Sequence, residues 1–375
     1  MAGIVISGIG IYTPPEAITN EELVDSFNAY VKKFNEEHKN EIEAQKIEPL
    51  QESSAEFIAK ASGVKNRYVM NKSGILDINR MYPDIPERPN EEMSIQCEMA
   101  LPAIKEALDN AGKTSEDVDA VIVSCANMQR AYPAISIEIQ DALGINGFAF
   151  DMLVACSSAT FGMQTGIDSI KAGTAECVVM VSPDIMTGHV NFCDRDSHFI
   201  FGDACTAVVI EKKDTCKTDT AFEILGSKLQ TKFSSNVRNN FGFLNRADES
   251  GIGKPDKLFK QNGRKVFKEV VPFVAEHITG HLDELNFKIE DMKRLWLHQA
   301  NQNMNRLIST KVLGREPEPE ETPIILDEYA NTVSCGCLIA FKKYQDDFEI
   351  GEKGVISSFG AGYSVGSIIV EKIKI

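Results

Sequence analysis

Cys156 stands where a short apolar run gives way to small residues, in Asp151-Met-Leu-Val-Ala-Cys156-Ser-Ser-Ala-Thr160, and the pattern from 157 to 171 reads as a buried helix stopped by Gly173. A strand that hands a cysteine to a helix N-terminus places the thiol among unpaired backbone N–H groups, where the helix dipole favours negative charge. The expectation is a pKa below the free value of about 8.5, with thiolate present near neutrality. Cys156 is therefore the best nucleophile candidate among nine cysteines. Two further polar groups stand in similar places. His298 opens His298-Gln-Ala-Asn301 after the apolar run Arg294-Leu-Trp-Leu297, and Asn331 follows Ile324-Ile-Leu-Asp327 in Tyr329-Ala-Asn331-Thr332. Each reads as lying just past the C-terminal end of a strand, the edge at which open α/β sheets collect ligands and chemistry. Three residues far apart in sequence are thus expected to converge. Taken singly, a cysteine is most often a small core residue and a histidine after a strand a hydrogen-bonded loop residue. The coincidence of all three at strand ends carries the functional reading.

Rival chemistries leave weaker marks. A Cys, His, Asn order also suits papain-like hydrolases, but there an aromatic follows the cysteine, whereas here Ser-Ser-Ala-Thr does. Asp151 could pass for a triad member, although bracing the strand end is the simpler role. The stretch His189 to His198, with Cys193, Asp194 and Asp196, then Asp203 and Cys205, has the composition of a metal site. It lacks the short ligand pairs of structural zinc, and Cys205 falls within an apolar strand pattern, so no metal is expected. Cys335 and Cys337 read as small packing residues. Gly360-Ala361-Gly362 follows the strand pattern ending at Phe359 without the rest of a dinucleotide fingerprint. A glycine-flanked turn of this kind lets backbone N–H groups approach a reacting carbonyl, which is what an oxyanion hole requires.

The elements that must position these groups alternate between helix and strand. The segments 116–127 and 290–301 each follow a helical stretch, begin on an acidic residue followed by Asp, run through an apolar strand and close on Ala-Asn. This self-similarity predicts a duplicated α/β half. Further strand patterns fall at 3–11, 177–182, 204–211, 354–358 and 364–371, so layered sheets covered by helices are expected. The division reads as 1–212, carrying the cysteine, and 213–375, carrying His298 and Asn331. Two stretches look inserted, near 21–48 and 71–92. The first places Leu23, Phe27, Val31, Phe34 and Ile42 at amphipathic-helix spacing, and the second is loop-like, with Pro83, Pro86 and Pro89. Each is either a solvated decoration or a lid or subunit contact near the substrate entrance.

At 375 residues with 43% hydrophobic content, the chain can bury a large core. Its net charge of -16, from 39 basic and 55 acidic residues, argues against nucleic-acid binding and against attraction to anionic membranes. An acidic partner would need a local basic patch. The densest is 253–268, with Lys254, Lys257, Lys260, Arg264, Lys265 and Lys268 against Asp256 alone; helical spacing would put Arg264 and Lys268 on one face. Irregularly spaced cysteines, an N-terminal sequence unlike a signal peptide and no membrane-length apolar run predict a reduced, cytoplasmic protein.

At Ala155-Cys156-Ser157, Asp194-Arg195 with Phe201-Gly-Asp203, Asn262-Gly263 with Val266-Phe-Lys268, His298-Gln-Ala-Asn301, Asn331-Thr332, and Phe359-Gly-Ala-Gly362 with Gly366-Ser367, the chain resembles the thiolase-fold condensing enzymes. The family it most resembles is that of the β-ketoacyl-acyl carrier protein synthases III, and the matches run in family order over nearly the whole chain. Within it, the N-terminal insertions and Ser-Ser-Ala-Thr-Phe-Gly resemble the proteobacterial β-ketodecanoyl-acyl carrier protein synthases. The resemblance implies a thiolase-like αβαβα architecture of two α/β halves and a homodimer. It implies condensation of an acyl-CoA, medium-chain such as octanoyl, with malonyl-acyl carrier protein in fatty-acid synthesis, without a cofactor. A same-fold synthase making a specialised β-keto product is the first alternative, ahead of a Cys-His-Asn hydrolase or a non-catalytic dimeric binding protein. By the resemblance, Cys156, His298 and Asn331 are catalytic, the N–H groups of Cys156 and Ala361 form the oxyanion hole, and Phe359 lies beside the nucleophile. Phe57, Arg195 and Asn262 would bind CoA, Tyr132 would reach into the partner subunit's acyl tunnel, and Arg264, Lys268, Arg306 and Lys311 would meet the carrier protein. The chain departs from the family at Phe57, where a Trp is usual, at Ala61, in place of a CoA-binding Arg, and at Asn303, in place of an Arg after the HQAN motif.

Overall fold

The computed structural model describes residues 3–240 and 242–375. Strand β1 (Ile4–Tyr12) opens the chain, followed by a peripheral unit of β2 (Glu16–Thr19), α1 (Asn20–Glu37), α2 (Lys39–Glu43), α3 (Ala55–Ser62), β3 (Asn66–Val69) and α4 (Ser73–Leu76). Then come α5 (Ile95–Ala111), β4 (Ala120–Cys125), α6 (Ile135–Leu143), β5 (Phe148–Leu153), α7 (Ser158–Lys171), β6 (Cys177–Asp184) and β7 (Ala204–Lys212). The remainder comprises β8 (Thr220–Thr231), the short pair β9 (Val237–Arg238) and β10 (Lys260–Gln261), α8 (Gly263–Glu284), β11 (Met292–Leu297), α9 (Gln302–Leu313), α10 (Leu326–Tyr329), α11 (Gly336–Lys343), β12 (Lys353–Gly360) and β13 (Ser364–Lys374).

Two half-sheets repeat one pairing scheme. In the first, β1 runs antiparallel to β7, β7 antiparallel to β6, and β6 parallel to β4, with β5 parallel beyond. In the second, β8 runs antiparallel to β13, β13 antiparallel to β12, and β12 parallel to β11. A short antiparallel contact, Val5 with Glu223 and Ile6 with Phe222, joins the halves into a nine-stranded sheet. The self-similar segments occupy equivalent places. Each begins with a capped turn, Thr114 with Asp117 and Lys288 with Asp291, and continues into β4 or β11.

The fold buries three apolar layers. Helices α5 and α6 cover the outer face of the first half-sheet, where Ile104, Ala107 and Ile139 meet Val121, Val179 and Val209. Helices α8 and α9 cover the second, where Val274, Ile278 and Ile308 meet Leu295, Val355 and Ile369. Between the half-sheets lie α7 and α11, whose Ala159, Met163, Leu338 and Ile339 share one core with Ile122, Met180, Ile356 and Ile368. Fully burying one such aliphatic side chain stabilises by about 1.5–3 kcal/mol, so the sandwiched helices draw on both sheets. Close approach is needed for this stacking. A Cβ at Gly10 would lie 2.0 Å from the Ala103 carbonyl oxygen, so this side-chain-free position lets α5 settle onto β1. The result is the expected αβαβα layering.

The region near 21–48 folds as α1 and α2, and Leu23, Phe27 and Val31 are buried against Ile58, Ile75 and Phe199 in a core of their own, with Phe34 partly buried. Thr19 and Glu22 form a capping box at the start of α1. The 71–92 stretch is loop apart from the single turn α4. One strand expectation fails. The apolar run 324–327 enters α10, because Ile325 N–H is taken by the Gln299 side chain rather than by a strand neighbour, and the carbonyl of Ile325 accepts from Tyr329. Among the described residues no helix is long and apolar enough to cross a membrane.

Candidate active site

Cys156 sits in a one-turn 3-10 segment, Ala155–Ser157, that leads from β5 into α7. Ala155 holds φ 47°, a left-handed conformation costly for a side-chain-bearing residue, and thereby turns the chain sharply at the nucleophile. Neighbouring hydroxyls lock this turn to the second half. Ser157 Oγ pairs with Ser364 Oγ, Ser358 Oγ donates to the Ser157 carbonyl at 3.1 Å, and Thr160 Oγ1 meets Ser358 Oγ at 2.7 Å. Gly360 completes the approach, since a Cβ there would lie 2.5 Å from Cys156 Cβ.

The thiol is not acidic as its helix-end position predicts. Burial pushes its pKa up to about 12 and the Asp184 carboxylate adds to the rise, against a smaller downward pull from hydrogen bonds of the Cys156 and Ala361 backbone N–H groups. Desolvation outweighs the helix terminus, and the resting sulfur is a neutral thiol. The same two N–H groups bear on the sulfur.

His298 follows β11 directly, is 2% exposed and donates its backbone N–H to Ser357 at 2.8 Å. Its ring stands edge-on to Phe359, with centroids 5.2 Å apart. Burial drives its pKa down to about 3, a hydrogen bond with the Val333 backbone opposing the fall, and Nδ1 is buried with no partner among the described residues. The imidazole is therefore neutral. Asn331 reaches the site from a loop after α10. Its backbone is pinned by exchange with Ile200 and Gly202 at 3.0 and 3.1 Å, and its Oδ1 accepts from the Val333 N–H at 2.9 Å. Ala330 and Val333, on either side, hold φ of 56° and 55°. Positive φ at a β-branched residue is a marked departure, and here it accompanies the segment that aims Asn331.

All three predicted catalytic residues line one cavity of about 200 Å³, with Phe359, Gly360 and Ala361. A second cavity of about 190 Å³ adjoins the first, and both share Cys156, Phe201, Val237, Phe259 and Ala361. Val237, in the two-residue β9, and Phe259, just before β10, lie in stretches with no periodic pattern, so nothing in the sequence marked them. Asp151 is not part of the site: it accepts from the Ile135 and Ser136 N–H groups at 2.7 and 2.9 Å and caps α6. His198 stacks on Phe27 at 4.3 Å, and Cys205 lies within β7.

The remaining candidates lie around this centre. The Arg195 guanidinium stacks over Phe57 at 4.3 Å and donates to the Glu52 carbonyl, while Phe57 stands edge-on to Phe199, a wall of the first cavity. Ala61 lines that cavity too. Asn262 caps α8 through Lys265 N–H, between the cavity-lining Gln261 and Gly263. Arg264 and Lys268 are exposed on the first turns of α8, whereas 254–261 holds only a one-turn 3-10 segment, Pro255–Lys257, and β10. Arg306 is tied to Glu316 at 2.7 Å, and Lys311 is exposed on the same helix. Tyr132 is 85% exposed and lines a separate groove, which meets the second cavity at Asn127 and His189.

Comparison with known proteins agrees with this geometry. Residues 150–232 match the family model described as 3-oxoacyl-[acyl-carrier-protein (ACP)] synthase III, and 282–372 match its C-terminal counterpart. The chain is 58% identical over 349 residues to a beta-ketodecanoyl-[acyl-carrier-protein] synthase of Pseudomonas aeruginosa, covering 93% of this chain and 100% of that protein. It is 25% identical to a beta-ketoacyl-[acyl-carrier-protein] synthase III of Solibacter usitatus, covering 96% of each. In fold it resembles the crystal structure of a 3-oxoacyl-(acyl carrier protein) synthase III from Pseudomonas aeruginosa, with a TM-score of 0.77 at 21% identity and coverage of 100% of this chain and 99% of that one. With a nucleophile turn, a neutral histidine and an asparagine amide gathered on a thiolase-like scaffold, and with this degree of identity over nearly its full length, the chain belongs to the 3-oxoacyl-[acyl-carrier-protein] synthase III family.

Proposed function

We propose that the protein catalyses decarboxylative condensation of a medium-chain acyl-CoA with malonyl-acyl carrier protein, giving a 3-oxoacyl-acyl carrier protein two carbons longer than the primer. The observation that carries this reading is the convergence of Cys156, His298 and Asn331 on one cavity, with the N–H groups of Cys156 and Ala361 turned to the sulfur. The 58% identical relative is named for a ten-carbon product, which supports an octanoyl primer.

The chemistry needs no resident cofactor. Cys156 Sγ bonds to the acyl carbonyl carbon while the bond to CoA sulfur breaks, and the proton lost by the thiol ends on CoA. In the second step the malonyl carboxylate leaves as carbon dioxide and its bonding electrons pass to the neighbouring carbon as an enolate. A neutral imidazole and an amide NH2 each offer an N–H to the enolate oxygen without burying a second charge. The carbanion attacks the acyl-cysteine, the oxyanion rests on the two backbone N–H groups, and the thiolate leaves and recovers a proton. The first cavity suits the thioester arm, with Phe57 and Arg195 outside it for CoA, and the second suits the acyl chain.

Subunit and carrier contacts extend the proposal. Strand β5 is an edge of the sheet with Phe148 and Leu153 partly exposed, and Tyr132 and Ile137 project from the same half. An unpaired apolar edge calls for a partner, and pairing two copies across β5 would bring Tyr132 to the partner's acyl cavity as a homodimer. Arg264 and Lys268 supply the positive face for an acidic carrier protein, and a cytoplasmic setting suits nine free thiols. Turnover measured across acyl-CoA chain lengths with malonyl-acyl carrier protein tests the reading: a maximum near eight carbons is expected, and release of free acid without condensation would replace it with hydrolysis.

A further inference from the structure

Asp184 ends β6, is 1% exposed and lies where the two halves meet. Its Oδ1 accepts from the Ala126 N–H at 2.8 Å, while its Oδ2 accepts from the Ser334 N–H at 3.2 Å and from the Ser334 hydroxyl. Ala126 follows β4 and lines the second cavity beside Cys156. Ser334 follows Val333, whose N–H fixes the Asn331 side chain. A single carboxylate therefore ties a wall of the nucleophile's cavity to the segment that aims Asn331.

The surroundings of this carboxylate are unusual for a charge. Among the described residues no Lys or Arg pairs with it. The titratable groups around it are Cys125 at the end of β4, Asp203 and Cys205 at the start of β7, Cys335 just before α11, whose Sγ lies 4.0 Å from Oδ2, and Cys156. Burying a carboxylate without a cation is expensive, and three N–H and O–H bonds with a long fourth from the Cys335 thiol offset only part of the cost. Its negative potential bears on Cys156, where it is the largest contribution after burial to holding the sulfur as a thiol.

We propose that Asp184 is a positioning residue for the condensation: it holds the Asn331 segment in register with the nucleophile's half and sets a buried charge, unpaired by a cation among the described residues, against the Ala126 wall of the Cys156 cavity. The first part rests on the condensation reading; the second does not.

Two variants separate charge from geometry. Asp184→Asn carries an N–H2 where the site supplies only donors, so release of labelled carbon dioxide from malonyl-acyl carrier protein should fall at least about tenfold. With the opposing charge gone, alkylation of Cys156 by iodoacetamide at pH 8 should speed up at least about threefold, and its logarithmic rate-against-pH line should move to lower pH. Ser334→Ala leaves the charge and removes one bond. It should lower carbon dioxide release by roughly three- to tenfold while leaving the alkylation line in place. A role in stability alone would not shift the alkylation line. Normal carbon dioxide release together with an unmoved line in Asp184→Asn overturns the proposal, and if that variant fails to fold, unchanged release in Ser334→Ala does so. Wild-type protein that releases no carbon dioxide would overturn the condensation reading instead, and the alkylation measurement, which needs no carrier protein, would still decide the electrostatic role.

Discussion

The Oδ1 of Asn331 accepts the Val333 N–H at 2.9 Å, and because that partner is a donor the remaining face of the amide must be its NH2. Asn331 therefore presents a donor to the cavity it shares with His298, itself a neutral imidazole. An uncharged amide donor beside an uncharged ring suits an oxygen that becomes negative only during reaction.

Cys156→Ala should take up no acyl group from acyl-CoA, whereas the wild type gains one acyl mass. Condensation should fall by roughly 10⁴-fold or more, as expected for loss of a covalent nucleophile. Intact-protein mass spectrometry checks the first statement, and equal labelling of the variant would refute it.

His298→Ala should divide the half-reactions. Acylation of Cys156 should persist, because nothing in the geometry makes His298 the base for the thiol, while carbon dioxide release should drop by about 10²–10³-fold. Retained decarboxylation with lost acylation would reverse the assignment.

The pH dependence of stability follows from buried groups. Burial lowers His298 to about 3 and His198, His277 and His281 to about 4, so on acidification the unfolded chain takes up their protons first and stability falls as the pH drops below about 6.5. Asp184 and Asp203, raised to about 6 by burial, act in the opposite sense, losing stability as the pH rises from about 4 to 6. Four imidazoles outweigh two carboxylates, and ion-paired acids such as Asp347, held down to about 2 by Arg294, lose their contribution only below about pH 4, outside this range. Thermal melts should rise in midpoint from pH 4.5 to pH 6.5, and a flat profile would contradict the burial of these histidines.

Reversing Arg264 and Lys268 together to Glu should raise the apparent KM for malonyl-acyl carrier protein by roughly tenfold while leaving acylation by acyl-CoA nearly unchanged, and added salt should weaken the wild-type interaction. Arg306→Glu should do less, because Arg306 is already paired with Glu316. Steady-state kinetics against both substrates at two ionic strengths would check each. If the double reversal leaves carrier-protein kinetics unchanged, the basic turns of α8 are only a solvated face.

Gly360→Ala should impair acylation more than folding. The added Cβ would sit 2.5 Å from Cys156 Cβ, so either the nucleophile turn or the end of β12 must shift. Overpacking of this kind costs about 1–3 kcal/mol of stability, measurable by denaturant melts, and wild-type acylation kinetics in the variant would show that the turn tolerates displacement.

The sequence by itself determined the periodic and the chemically distinctive. Strand runs at 177–182 and 204–211, the repeated segments before Cys125 and Leu297, the amphipathic Leu23-Phe27-Val31 stripe and the identity of Cys156, His298 and Asn331 were legible because local patterning and residue type encode them. Tertiary structure decided whatever depends on surroundings. The helix end at Cys156 predicts an acidic thiol, yet desolvation within the packed site, with the Asp184 carboxylate adding to it, raises it, since desolvation is a property of the packed neighbours. The run at 324–327 has strand composition but turns into α10 because Gln299 claims the Ile325 N–H. Val237 and Phe259 wall both cavities from stretches without a periodic pattern, and Asp184 joins Ala126 to Ser334 across 208 residues of chain, a proximity that only the packing of the two halves creates.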